Sequence, residues 1–465
     1  MSGGRLTALC DRIVATTSAD LDETVLHHAR RLVLDGLSVG VAGARVETAP
    51  KIMAAHLAAM GSSPISTALG AGLKLAPPQA ALLNAVAMHA LDFEPMWSPA
   101  THALSPALAA ALAIGEAKRA GGLEILVAMV KGIEMQGRIL VACGPYESLD
   151  LRLHPPGLVG PMGAAVAGAH ILGLDADQLG HALGIAASRC GGLVSNTGTM
   201  TKATHPGYAA ALGLEAAMLA ARGYTGNGDL DAETGYAEAL LPAGFDSARL
   251  LEFGVPFRVR DPGYAIKIFP SKITTHYAIT AALQARVRVP DAGAVRAIRV
   301  VAPLVPAANR PAPASGHEGK FSIQFTLAAA LLDGEVTIQT FTDARLHAAD
   351  MQALLPKIDV EMRADITTQY SGGRFLQMEV ELADGTIFTE RCDSPRGTWG
   401  TEPISDDELA AKARGCLTTA FDPDHASELV SRLWRFDAMD ADEISALLAQ
   451  LGQGDDTPVA EAAHG

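Results

Sequence analysis

The sequence predicts a mainly helical protein. Both chain ends, 1–266 and 404–456, build one large all-helical domain, and a smaller α/β lid domain, 267–403, is inserted between them. Three observations carry this reading. From residue 20 to about 251, apolar residues recur three and four apart. After Lys267, β-branched and alternating runs replace that spacing. From residue 406 the helical spacing returns, and residues 457–465 read as a frayed polar tail.

The helices expected in the first segment are 23–41, 78–89, 106–119, 123–141, 161–172, 176–187 and 207–222. Ala-Gly-Gly at 120–122 and Gly-Tyr-Thr-Gly at 223–226 separate some of them. Pro206 is placed at the first position of the last helix, where its missing N–H costs nothing. In the second segment, 297–302 and 357–361 are short strands, and 375–389 is a hairpin turning at Asp384-Gly385. Helices are expected at 273–286 and 321–332 there, and at 406–416, 426–433 and 440–451 in the third segment.

A chain of 465 residues with 49% apolar and 19% charged side chains buries a large core. The net charge of −15 argues against nucleic acid or an anionic membrane as partner, while leaving room for a local basic pocket that binds an anion. The five cysteines, Cys10, Cys143, Cys190, Cys392 and Cys416, are dispersed and form no CxxC, as expected of free thiols in a cytoplasmic protein. Residues 158–174, the longest apolar stretch, contain four glycines, Pro161 and His170, which suits a buried helix better than a membrane span.

Five places carry candidate chemistry. His89 and Asp92, three apart at a helix end, are expected on one face. His102 follows a proline-rich loop that includes Met96 and Thr101. With Asp92 in reach to orient its ring, it has the make-up of a general base. His154 precedes Pro155-Pro156 and a small-residue helix. Lys202 and His205 stand ahead of the 207–222 helix, whose free N-terminal amides would add to an anion site. Lys267 lies at the first crossing between the domains, and clefts between domains are favoured ligand sites. HExxH, paired cysteines, GxSxG and a phosphate loop after a strand are all missing from the sequence. His, Lys, Asp and Thr converging on an anion suit proton abstraction next to a carboxylate, because cations stabilise the dianion that develops.

These residues resemble the MmgE/PrpD family, which includes 2-methylcitrate dehydratase, cis-aconitate decarboxylase and iminodisuccinate epimerase. The resemblance runs from Leu34-Asp35-Gly36-Leu37 through Leu91-Asp92-Phe93, Ala100-Thr101-His102, His154-Pro155-Pro156 and Thr201-Lys202 with His205. It continues through Lys267 with Phe269-Pro270-Ser271, and Lys320-Phe321-Ser322, to Pro395-Arg396-Gly397. It implies the two-domain fold above, a homodimer, no metal and no cofactor. It also implies a decarboxylase-type site on Asp92, His102, His154, Lys202 and Lys267. Where the family has an acidic doublet, this chain has Glu94-Pro95. Met96 stands for a threonine, Ala103-Leu104-Ser105 follows His102 in place of Pro-Ser, and Phe325 falls where the decarboxylase lid has a tyrosine.

The resulting expectation is a cytoplasmic, cofactor-free lyase acting on a small di- or tricarboxylate, with a 2-methylcitrate-dehydratase-like hydro-lyase placed first. Epimerisation of a dicarboxylate comes next, then cis-aconitate-type decarboxylation. A non-catalytic carboxylate-binding protein is the rival from another class. Asp92, His102, Lys202 and His154 are the expected catalytic residues; Lys267, His205, Thr101, Met96 and Phe325 are the expected substrate contacts.

Overall fold

The computed structural model describes residues 3–145, 152–242, 244–289, 292–370 and 372–453; the expected frayed tail lies outside them. The protein is mainly helical. Its centre is formed by Pro77–Ala90, Leu104–Lys118, Gly122–Ala142, Pro155–Leu172 and Thr201–Ala220, which pack on one another. Pro155–Leu172 is buried along most of its length, so no polar stripe appears in its sequence. Small residues let these helices approach closely. A Cβ at Gly213 would lie 2.3 Å from the Pro161 carbonyl oxygen, and one at Gly163 would lie 2.5 Å from that of Gly132.

Two helix starts differ from expectation. Pro155 and Pro156 occupy the first positions of their helix, so it begins well before Pro161. The helix carrying Lys202 begins at Thr201, which leaves Pro206 inside it rather than at its first position. Pro206 removes one main-chain bond, and the burial of Ala203 and His205 offsets that loss. The expected free amides therefore open at Thr201, six residues before Gly207. Two helices, Gly3–Ala15 and Thr48–Met60, and a short hairpin of Ser66–Ala68 with Leu73–Leu75 were not anticipated. The five cysteines are free thiols, and four of them are buried.

The lid sheet runs in the order Ile358–Arg363, Val295–Pro303, Leu376–Leu382, Ile387–Cys392. Val295–Pro303 pairs parallel with the first and antiparallel with the third. Leu376–Leu382 alternates buried and half-buried residues, the period-two pattern read in the sequence. Its buried side packs against the helices Ile273–Arg286 and Ile323–Asp333. Buried apolar residues form one cluster drawn from 21–266 and 404–451 and another from 277–392. That division supports the proposed insertion of residues 267–403 as a separate unit. No helix among the described residues is long and apolar enough to cross a membrane.

Candidate active site

A cavity of about 450 Å³ opens where the lid meets the helical centre. Asp92, Met96, Thr101, His102, His154, Lys202 and Lys267 line it, so seven of the nine expected residues come together. His205 stands behind His154, with their Nδ1 atoms 3.2 Å apart. Phe325 does not reach the cavity. It is packed in the lid core against Phe341, with ring centroids 6.0 Å apart, because its position on the Ile323–Asp333 helix faces the sheet.

The loop after Ala90 positions the floor. The helix ends there, and Asp92 takes a left-handed backbone with φ of 50°, uncommon for a residue with a side chain. His89 and Asp92 therefore do not share a helix face. Met96 exchanges main-chain hydrogen bonds with Ala265, its N–H donating at 3.1 Å and its carbonyl accepting at 2.8 Å. This pairing sets Lys267, two residues further on, against Asp92. Lys267 Nζ donates to the Asp92 carbonyl at 2.8 Å and also to its carboxylate, while Lys202 Nζ donates to the other carboxylate oxygen. Lys202 also lies over the lid residue Phe321, 5.1 Å from the ring centroid.

Asp92 is thus gripped by two lysines and does not orient His102, whose Nε2 is 4.0 Å from the carboxylate. Burial alone would push the Asp92 carboxyl up; Lys202 and Lys267 outweigh it and hold the group well below the usual carboxylate range. Burial pulls Lys267 down to about 8, with Asp92 opposing.

Glu94 holds His89 and faces His102 instead. It is fully buried: His89 Nδ1 lies 2.6 Å from Oε1, and the Ser105 hydroxyl and N–H donate to the carboxyl at 3.0 and 3.2 Å. His102 Nδ1 sits 3.5 Å from the same oxygen. The rings of His89 and His102 meet edge to face with centroids 4.6 Å apart. Burial raises the Glu94 carboxyl to about 8 against the hydrogen bond from Ser105. Burial, joined by the nearby lysines, holds His89, His102 and His154 well below the ordinary imidazole value, so all three are neutral at pH 7. The nitrogens of His89 and His102 and an oxygen of Glu94 lie within 4.8 Å of one another, the spacing of a metal site. The positive charges of Lys202 and Lys267 act on this trio and oppose a further cation, and its nearest atoms already hydrogen-bond each other.

The lid contributes groups that sequence reasoning missed. Lys272 stands at the position just before the Ile273–Arg286 helix, and burial and the charge of Lys202 lower it to about 8. Arg310 pairs with Glu318 and donates to the Thr197 carbonyl at 2.7 Å, tying the lid to the loop before Lys202. Tyr370 joins the lining, so a phenol is present although Phe325 is elsewhere. Leu304, Val305 and Pro306 make one wall apolar. Lys272 follows Pro270-Ser271 directly before an apolar helix, the one local signal that marked it. The arrangement can bind carboxylates against its lysines and exchange a proton at His102 Nε2.

The comparisons agree along the chain. Residues 7–246 match the MmgE/PrpD N-terminal domain and residues 269–435 the MmgE/PrpD C-terminal domain. The chain is 33% identical over 430 residues to the cis-aconitate decarboxylase of Homo sapiens, covering 88% of this chain and 87% of that protein. It is 32% identical over 424 residues to that of Mus musculus, covering 88% and 86%. It is 26% identical over 490 residues to that of Aspergillus terreus, covering 96% of each.

Proposed function

The chain belongs to the MmgE/PrpD family, and from that premise we propose that it is a lyase that decarboxylates a small unsaturated polycarboxylate of the cis-aconitate type. The observation that carries this reading is the cavity itself: Lys202, Lys267 and Lys272 surround a single ionised carboxylate, Asp92, and the neutral His102 stands beside it. Three cations against one anion leave room for at least two substrate carboxylates.

In this mechanism the lysines fix the carboxylates that are retained. The departing carboxylate lies toward the apolar wall, where desolvation favours neutral carbon dioxide over the anion. The C–C bond breaks, and its electron pair moves into the conjugated system that the lysines stabilise. His102 Nε2–H then delivers the proton to carbon. Tyr370 favours decarboxylation over the hydro-lyase placed first from sequence, because it is a tyrosine lining the cavity from the lid, which Phe325 is not.

Dehydration, as in a 2-methylcitrate-dehydratase-like enzyme, is the second reading. Met96 favours it, as an apolar side chain on the wall where the decarboxylase has a threonine hydroxyl and a place for a methyl-bearing substrate. Dicarboxylate epimerisation would use the same carbanion.

Offering cis-aconitate, citrate, methylcitrate and iminodisuccinate in deuterium oxide separates these outcomes. Carbon dioxide release supports the first reading, new ultraviolet absorbance from citrate or methylcitrate supports dehydration, and deuterium uptake without bond cleavage supports epimerisation. His102→Ala should lower kcat by about 10²- to 10⁴-fold with little change in KM. If none of the acids reacts and His102→Ala binds them as wild type does, the carboxylate-binding rival replaces the enzyme. A homodimer belongs to this reading as the family implies it, and a cytoplasmic location as the free thiols suggest; sedimentation at micromolar concentration tests the first.

A further inference from the structure

We propose that His89, Glu94 and His102 form a buried proton store, in which Glu94 returns a proton to His102 Nδ1 as His102 Nε2 gives one to the substrate carbon. The proposal rests on the reading of His102 as the proton donor. Glu94 does not line the cavity and touches no substrate, so it is a positioning residue rather than a catalytic one.

The need for such a store follows from the site's electrostatics. A histidine that is neutral at rest becomes an imidazolate once it has given up its Nε2 proton, and that anion is costly unless Nδ1 is protonated at the same time. The Nδ1 atom of His102 is buried and has no hydrogen-bond partner among the described residues. It faces Glu94 Oε1 at 3.5 Å, a gap that a small ring movement closes. Glu94 is the one carboxyl in reach that can hold a proton at neutral pH, since Asp92 is committed to two lysines. His89 Nδ1, 2.6 Å from Glu94 Oε1, holds the acid in place from behind. The charged and titratable groups facing the trio are Asp92 on the loop, His154 at the start of its helix, Lys202 on the Thr201–Ala220 helix, and Lys267 and Lys272 at the lid hinge.

The step balances. The Nε2–H bond breaks as the C–H bond forms, the Glu94 O–H bond breaks as the Nδ1–H bond forms, and Glu94 is left as a carboxylate. After product leaves, His102 takes a proton from water at Nε2 and passes its Nδ1 proton back to Glu94.

Glu94→Gln keeps the shape and cannot transfer a proton. The ratio of wild-type to Glu94→Gln kcat should be about 10²-fold near pH 6 and approach unity near pH 10, where wild-type Glu94 has ionised. KM should stay within a factor of two or so, and Glu94→Asp should recover part of kcat. Lys267 and Lys272 titrate in the same range, and the Ser105→Ala shift and the infrared band below, which report on Glu94 itself, separate its ionisation from theirs. Ser105→Ala, which removes only a hydroxyl donor to Glu94, should move the alkaline limb of wild-type activity to higher pH. A ratio independent of pH would mean a structural role and would overturn the proposal. Infrared spectra of the substrate-free protein decide separately from any activity: a protonated-carboxyl band at neutral pH should be present in wild type and absent in Glu94→Gln. Without that band there is no store, even if the lyase reading stands; with the band but no turnover of any acid, the store stands and the lyase reading is what failed.

Discussion

Asp92 and Glu94 lie two residues apart on one loop, are equally buried, and end in opposite charge states. Asp92 looks toward the lid side of the cavity, where Lys202 and Lys267 grip it and keep it ionised. Glu94 looks into the helical centre, where its partners are imidazoles and a serine, and there burial keeps it protonated to about 8. One carboxylate sets the charge of the binding pocket; the other supplies hydrogen bonding behind the proton donor. Two like groups pushed apart by their surroundings mark which can serve as a fixed anion and which as an acid.

The comparison breaks most visibly at the lysine clamp. Asp92→Ala leaves two buried ammonium groups facing each other, which should cost about 3–5 kcal/mol in urea unfolding and abolish activity. Unfolding free energy equal to wild type would show that the clamp does not bind the lid side to the floor. A smaller effect is expected on the Glu94 side. Its folded pKa of about 8 lies above the ordinary 4.5, so its contribution to stability is full below 4.5 and is lost as pH rises through 8. Glu94→Gln should therefore be the more stable protein above about pH 8, by about 1–3 kcal/mol, and lose that advantage in acid. Melting temperatures of the two proteins across this range check the sign. The neighbouring histidines act in reverse. Their folded values lie below 6.5, so the stability they contribute is present above 6.5 and lost as pH falls; the melting temperature of wild type should drop steadily on acidification below that point. The smallest change is expected from Lys272→Met, which removes a cation that neither Asp92 nor Glu94 holds. KM for a tricarboxylate should rise about tenfold with kcat nearly unchanged, and an unaltered KM would remove Lys272 from the binding surface.

Much of this was legible before the structure. Helical spacing gave most of the anticipated helix ranges to within a few residues, the starts at Pro155 and Thr201 excepted, since apolar faces must recur wherever a helix is half-buried. His102, His154, Lys202 and Lys267 stood out because polar residues in rigid loops and at a domain crossing have few reasons to be there other than a ligand. The role of Asp92 was not legible: a left-handed turn at Asp92 separates it from the helix of His89, and three-residue spacing assumed the helix went on. Phe325 was misplaced because correspondence along the chain does not say which face of the Ile323–Asp333 helix turns to the sheet. Lys272, Arg310 and Tyr370 were missed because each becomes part of the site only when the lid docks.

By itself the sequence determined the fold class, the alternation of helical and mixed segments, and the residue types from which an anion site could be made, because these depend on local periodicity and composition. Only the tertiary structure decided which carboxylate carries charge. That choice depends on whether a lysine more than a hundred residues away comes within hydrogen-bond reach, as Lys202 and Lys267 do for Asp92, and on whether burial goes unopposed, as it largely does for Glu94.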